Sequence, residues 1–231
     1  MKMFLATFFG LAMLAVGLSL PTYASEPNEQ QVLVDQAQLT LGDFQKAPEM
    51  AWFREALPKA KGVLIVPSLV KAGFIFGGSG GNGVYFTKDQ KSGVCRGPAF
   101  YGMGSVTYGL QIGAEKSEVI ILAMTDKAVD AMLSPQFKLG ADVSIAAGPV
   151  GVGAAGEASP LPAATFIAFV RSKGVFAGLT IEGGIVAAKG KYNASYYGKA
   201  VSPADILISG IAVPSKGGRI CAMIERRPVK D

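Results

Sequence analysis

Apolar residues recur at two different periods along this 231-residue chain, and the change of period divides it. Between residues 25 and 60, Leu33, Ala37, Leu41 and Phe44 fall three or four apart. Met50, Phe53 and Leu57 repeat that spacing after Pro48. Such spacing lines one face of a helix, so this stretch is expected to form helices broken at Pro48, with Trp52 in the second. From residue 61 the texture changes to short Val/Ile/Phe-rich runs cut by glycine: 63–66, 73–77, 84–87, 99–103, 106–112 and 118–124. The pattern resumes at 141–147, 165–170, 175–181 and 220–224. Runs this short with turn residues between them predict antiparallel strands. Two short helices are expected to interrupt them. One follows Thr125 as N-cap and stops before Pro135; the other opens with Ser202 as cap and Pro203 at the first helical position.

Glycine then refines the sheet. The chain has 30 glycines, and Gly102, Gly104, Gly109, Gly113, Gly178, Gly183 and Gly184 fall inside strand-like runs. Glycine weakens a flat strand, so its repetition predicts bends, bulges or close backbone approach in a curved or barrel-like sheet. The expected fold is α+β: a mainly antiparallel, curved or barrel-like sheet with N-terminal helices and two short interrupting helices.

The N-terminus carries a different pattern. Lys2 precedes an apolar, uncharged run from Phe4 to Leu20; Pro21 breaks it, and Thr22-Tyr23-Ala24 places small residues where a signal peptidase reads. Residues 1–24 therefore read as a cleavable secretion signal. Residues 25–231 read as a single domain, with a helical segment at 25–60 and a β-rich core at 61–231. Export implies a periplasmic or secreted location, peripheral to a membrane. The two cysteines, Cys95 and Cys221, can bridge in an oxidising compartment, or stand as two separate buried thiols. Net charge is +5, without the dense Lys/Arg stripes of nucleic-acid binders. It suits attraction to anionic lipid.

Catalytic chemistry is excluded mostly by what the composition lacks. The chain has no histidine, which removes Ser-His and Cys-His nucleophile pairs and His-ligated metal sites. Gly77-Gly78-Ser79-Gly80-Gly81 matches G-x-S-x-G, but Val84-Tyr85-Phe86 follows as a strand, where a nucleophile elbow needs a helix. The G-x-G-x-x-G matches at 78–83 and 151–156 lead into a strand and into Ser159-Pro160, so neither presents a helix N-terminus to a phosphate. Ser68-Leu69-Val70-Lys71 matches S-x-x-K, with Lys91-Ser92-Gly93 nearby. An acyl hydrolase using Ser68 and Lys71 needs a helix there, and the pattern is a strand. No enzyme activity, cofactor or metal is expected.

Several ordered blocks resemble one family. Ala60-Lys61-Gly62-Val63-Leu64-Ile65-Val66-Pro67, Lys71 to Gly78 and Gly81-Asn82-Gly83-Val84 are similar to the opening of the SYLF domain. This is the lipid-binding module of a yeast actin-patch adaptor and its SH3-containing relatives. Gly97-Pro98-Ala99-Phe100, the 109–113 block and Leu139 to Ser144 resemble its middle. Ser172 to Gly178 and Tyr196-Tyr197-Gly198, ahead of Asp205-Ile206-Leu207, resemble its end. Cys95-Arg96 stands where family members often have Trp-Ser.

The resemblance implies non-enzymatic binding to membranes: anionic phospholipid or phosphoinositide-type lipid as the partner, with no nucleic acid and, for an exported protein, no actin. In eukaryotic relatives an amphipathic first helix helps engage the bilayer; here that helix carries Glu26, Glu29, Asp35 and Asp43, and a membrane-surface helix needs Lys/Arg instead. Arg54, Lys59, Lys61 and Lys71, with Arg171 and Lys173, are therefore the candidate head-group contacts. The alternatives are an outer-membrane β-barrel or structural envelope protein, and, further off, the Ser68/Lys71 hydrolase.

Overall fold

Pro67 sits near the middle of a twelve-residue strand, where its missing N–H would ordinarily break the ladder. The computed structural model, which describes residues 28–73, 76–89, 92–108, 113–150, 163–172, 174–177, 181–210 and 218–225, shows how the strand survives. Strand β1 (Gly62–Gly73) bulges at this point. Its register with β2 (Phe76–Lys88) shifts between Ile65 and Ser68, and with β4 (Gly113–Ala123) between Val66 and Leu69. A bulge accommodates a residue that cannot donate and bends the strand that carries it.

The bend brings β1 against the glycines of β2. A Cβ on Gly81 would lie 2.4 Å from the Ser68 carbonyl oxygen, and one on Gly83 would lie 2.7 Å from that of Ile65. Glycine is required at both positions because the partner backbone occupies the side-chain space. The G-x-S-x-G and first G-x-G-x-x-G matches are thus explained as sheet geometry.

The remaining strands are β3 (Cys95–Tyr108), β5 (Gln136–Lys138), β6 (Ile145–Ala147), β7 (Phe166–Ser172), β8 (Val175–Ala177) and β9 (Ile185–Ala188). They join one sheet in the order β5-β9-β3-β2-β1-β4-β7-β6, with β8 paired to β7. Every pairing is antiparallel except β6 with β7. The sheet rolls up. Phe137 from its first strand stacks on Phe166 from its seventh, ring centroids 5.6 Å apart. The concave interior is filled by Leu64, Val66, Tyr85, Tyr101, Val119 and Ile121, all buried. Burial pushes the phenols of Tyr85 and Tyr101 well above the usual tyrosine range. Tyr101 donates to the Met132 carbonyl of α3 (Asp126–Leu133).

The alternate residues face outward into a second core. Val63, Ile65, Phe86, Ile120, Ile167 and Phe169 are buried beneath α1 (Glu29–Lys46), α2 (Ala51–Ala56) and α6 (Gly218–Glu225). Asn28 caps α1 by accepting from the Gln31 amide. Phe44 and Phe53 meet edge-on at 5.8 Å, and Phe53 meets Phe169 at 5.2 Å. Two helices complete the fold, α4 (Gly190–Tyr197) and α5 (Pro203–Leu207). The second has a full capping box, in which Ser202 and Asp205 bond each other's backbone. No helix among the described residues is long and apolar enough to cross a membrane. The outward positions of β1, β4 and β7 are roofed by helices, so those strands present no apolar belt of the kind a membrane barrel needs.

The α+β, curved, mainly antiparallel fold is as the sequence predicts, and both interrupting helices begin at their expected caps. Two expectations are corrected. Residues 220–224 form a helix, not a strand: Ile220 and Ile224, one turn apart, are both buried, and a short apolar run cannot distinguish the two states. The runs at 99–103 and 106–112 are expected as two strands, yet Gly104 lies within continuous β3, whose described length ends at Tyr108. Strand β9 and helix α4 carry no clear pattern and are additions. The proposed leader at 1–24 and the G-x-G-x-x-G match at 151–156 lie outside the described residues.

Cys95 at the start of β3 and Cys221 in α6 form a disulfide, with Cα atoms 5.6 Å apart and a sequence separation of 126. In the chain-entropy treatment so long a loop is worth about 5 kcal/mol. Reduction is expected to lower urea stability by a few kcal/mol, measured with and without dithiol. Separately, Gly81→Ala should destabilise by about 1–3 kcal/mol through overpacking. Gly80→Ala, where an added Cβ meets nothing within 4 Å, should cost much less in the same denaturation assay.

Candidate functional site

The end of the roll at which β1 begins collects basic residues from three consecutive segments. Lys61 leads into β1, Lys88 ends β2, and Arg96 is the second residue of β3. The hairpin between β2 and β3 is tied by Asp89, whose side chain accepts from the Ser92 amide at 2.8 Å, and by Gly93 in the left-handed region at φ 72°. That turn sets Lys88 opposite Cys95 and Thr87 opposite Arg96. Thr87 is buried and donates to the Leu207 carbonyl at 3.0 Å, which draws the end of α5 against the strands. The result is a cleft of about 460 Å³ lined by Lys61, Lys88 and Arg96, by Asp89 and Asp126, and by Thr87, Val129, Leu207 and Ile208.

The cations differ in how they are engaged. Lys61 pairs with Asp126 at 2.6 Å, but Asp126 is 85% exposed, so the pair is solvated and weak. Lys88 donates to the Pro58 carbonyl at 3.2 Å. The Arg96 guanidinium has no hydrogen-bond or ion-pair partner among the described residues. Two half-exposed apolar side chains sit beside these charges: Val94 in the hairpin and Ile208 after α5. The cleft carries three positive groups against two carboxylates, and its chemistry is that of an anion receiver with an apolar rim. It holds no nucleophile with a base. Among the described residues no cluster of His, Cys, Asp and Glu could hold a metal ion.

The structure disperses the five described members of the six basic residues singled out from sequence. Lys59 and Lys61 lie at the cleft end, where Lys59 forms an exposed pair with Glu55 at 2.8 Å. Arg54 holds the chain reversal after α1, donating to the carbonyls of Ala47 at 2.5 Å and of Gln45 and Pro48 at 3.4 Å. Lys71 is ten residues along β1 from Lys61, roughly 30 Å away at strand spacing, and faces the concave side. Arg171 is bound into the convex core: it pairs with Glu118, with Asp43 at 2.8 Å, and lies 5.8 Å above the Phe44 ring. The Glu118 hydrogen bond, ahead of the Asp43 bond, raises its already high pKa. Lys173 lies outside the described residues. Ser68 and Lys71 point to opposite faces of β1, so the hydrolase pair is not assembled. Sequence reading missed Lys88 and Arg96. The available signal was the Asp89-to-Gly93 turn, which brings the two flanking cations together.

A family model described as Ysc84, Las17-binding protein actin regulator, matches residues 104–226. SH3 domain-containing YSC84-like protein 1 of Bos taurus is 30% identical over 161 residues, covering 69% of this chain and 47% of the relative. Protein YSC84 of Saccharomyces cerevisiae is 30% identical over 174 residues, or 74% of this chain and 37% of the relative. LAS seventeen-binding protein 3 of the same yeast is 31% identical over 176 residues, or 75% and 38%. The chain thus spans less than half the length of these curated relatives.

Arg171 is expected to serve the fold. Arg171→Met should cost about 2 kcal/mol in urea denaturation, because Glu118 and Asp43 lose their partner in a partly buried site.

Proposed function

The chain belongs to the Ysc84 (SYLF) family, and from that premise we propose that it binds anionic lipid surfaces without catalysis, through the cleft of Lys61, Lys88 and Arg96. The carrying observation is the Arg96 guanidinium, unpartnered among the described residues, beside two further cations and the half-exposed Val94 and Ile208. Phosphate groups of a bilayer would meet the cations while the two apolar side chains reach toward the acyl boundary. Each basic residue near an anionic surface contributes about 1 kcal/mol, so three together favour the bound state by roughly a hundredfold, an advantage that salt screens. The leader-like pattern at 1–24 supports a periplasmic or extracellular setting, peripheral to the membrane, for this proposed activity. The Las17 and actin in the relatives' family description belong to those proteins and are not carried over to this chain.

Liposome pelleting tests the proposal. Vesicles rich in an anionic phospholipid should retain the protein at low salt and release it as salt rises, while neutral vesicles should not retain it. The double variant Lys88→Gln with Arg96→Gln should weaken retention by at least about tenfold, a loss of roughly 1.4 kcal/mol. Pelleting unchanged by the variant, or equal on neutral and anionic vesicles, would sink the assignment.

A further inference from the structure

A second recess, of about 160 Å³, lies in the concave face. Its floor is apolar: Leu69, Met103, Val119 and Val170 are buried there, with Ile181 beside them. Its rim carries charge of both signs. Lys71 on β1 stands opposite Ser79 of β2 and Glu115 of β4 in the strand registers, and Glu182, just before β9, adds a second carboxylate. Among the described residues Lys71 forms no ion pair with either glutamate. Glu115 accepts the Ser172 hydroxyl. Ser79 and Ser105 share one hydroxyl–hydroxyl bond of 2.9 Å, so one of their two O–H groups is left to donate.

These groups select a ligand by elimination. A simple anion would meet Lys71 but also two carboxylates; a simple cation would meet the carboxylates but also Lys71. A molecule with both charges close together can satisfy all three groups. The floor requires an apolar part attached near those charges, and the volume limits its size, since a cavity of about 150 Å³ encloses one benzene. The geometry points to a free α-amino acid with an apolar side chain of leucine or phenylalanine size. Its carboxylate meets Lys71 and the free serine hydroxyl, and its ammonium meets Glu115 and Glu182. Its side chain rests on Leu69, Met103, Val119 and Val170. The site is separate from the lipid-facing cleft, on the far half of β1.

Isothermal titration calorimetry on the full chain tests this with a short ligand series. L-Leucine and L-phenylalanine should bind saturably. Isoamylamine, which lacks the carboxylate, 4-methylpentanoate, which lacks the amine, and glycine, which lacks the side chain, should each bind at least about tenfold more weakly. Lys71→Met should lose about tenfold for leucine and nothing for isoamylamine, while its pelleting with anionic liposomes stays at the level of the unsubstituted protein. No saturable heat with either amino acid up to about 10 mM, or equal affinity across the series, overturns the proposal. The series on the unsubstituted protein decides the question even where a variant fails to fold.

Discussion

A single missing N–H sets the shape of this molecule. Because Pro67 cannot contribute to the ladder, β1 bulges toward β2 and β4 alike, and the carbonyls of Ile65 and Ser68 press into space that only Gly83 and Gly81 leave open. Bulge and glycines are one device: the first bends the strand, the second lets the neighbour follow. The bend allows a nine-stranded sheet to roll until Phe137 and Phe166 touch. The roll in turn makes two cores from one sheet, a concave interior and a convex face roofed by helices.

The division of the basic residues follows from that architecture. Where β4 and β7 meet α1, Arg171 is drawn in to neutralise Glu118 and Asp43, and its charge is spent on holding the helix to the sheet. Arg54 is consumed by carbonyls at the chain reversal. At the end where β1 begins, α5 and the disulfide-tied α6 pack beside the strands, yet Lys88 and Arg96 stay only partly buried in the cleft. At the cleft end Lys59 and Lys61 hold solvated ion pairs and Lys88 a single carbonyl, whereas Arg54 and Arg171 are engaged by several partners of the fold. The same division separates the two proposed sites, the basic cleft at the start of β1 and the recess of mixed charge on its far half.

Much of the fold was legible in the sequence because its local signals agree with its tertiary structure. The helical period from Leu33 to Phe44, the caps at Thr125 and Ser202, and the Val/Ile runs of β1, β4 and β7 read correctly. The glycines announced curvature, though not its mechanism, since the clash that demands them is with carbonyls across the sheet rather than with neighbours in the chain. The run around Ile220 misled because five apolar-rich residues satisfy either period. β9 was hidden because Ile185 to Ala188 is short and takes its burial from β3 and β5. The site was half legible. Lys59 and Lys61 were visible as a basic cluster, but Lys88 and Arg96 are joined only by a hairpin register, and Arg171 looked free until its acidic partners, 53 and 128 residues away, were placed beside it.

The burial of the sheet on both faces limits where its sequence can vary. From Val63 to Val66 every side chain is enclosed, one pair by the interior and the other by the helices. No residue there can drift without disturbing one core or the other. Along β1 the partly exposed positions lie toward its far end, where the recess sits, and the cleft lies beyond its start. Substitutions at either extremity are therefore free to change what the sheet presents without disturbing the packing of its middle.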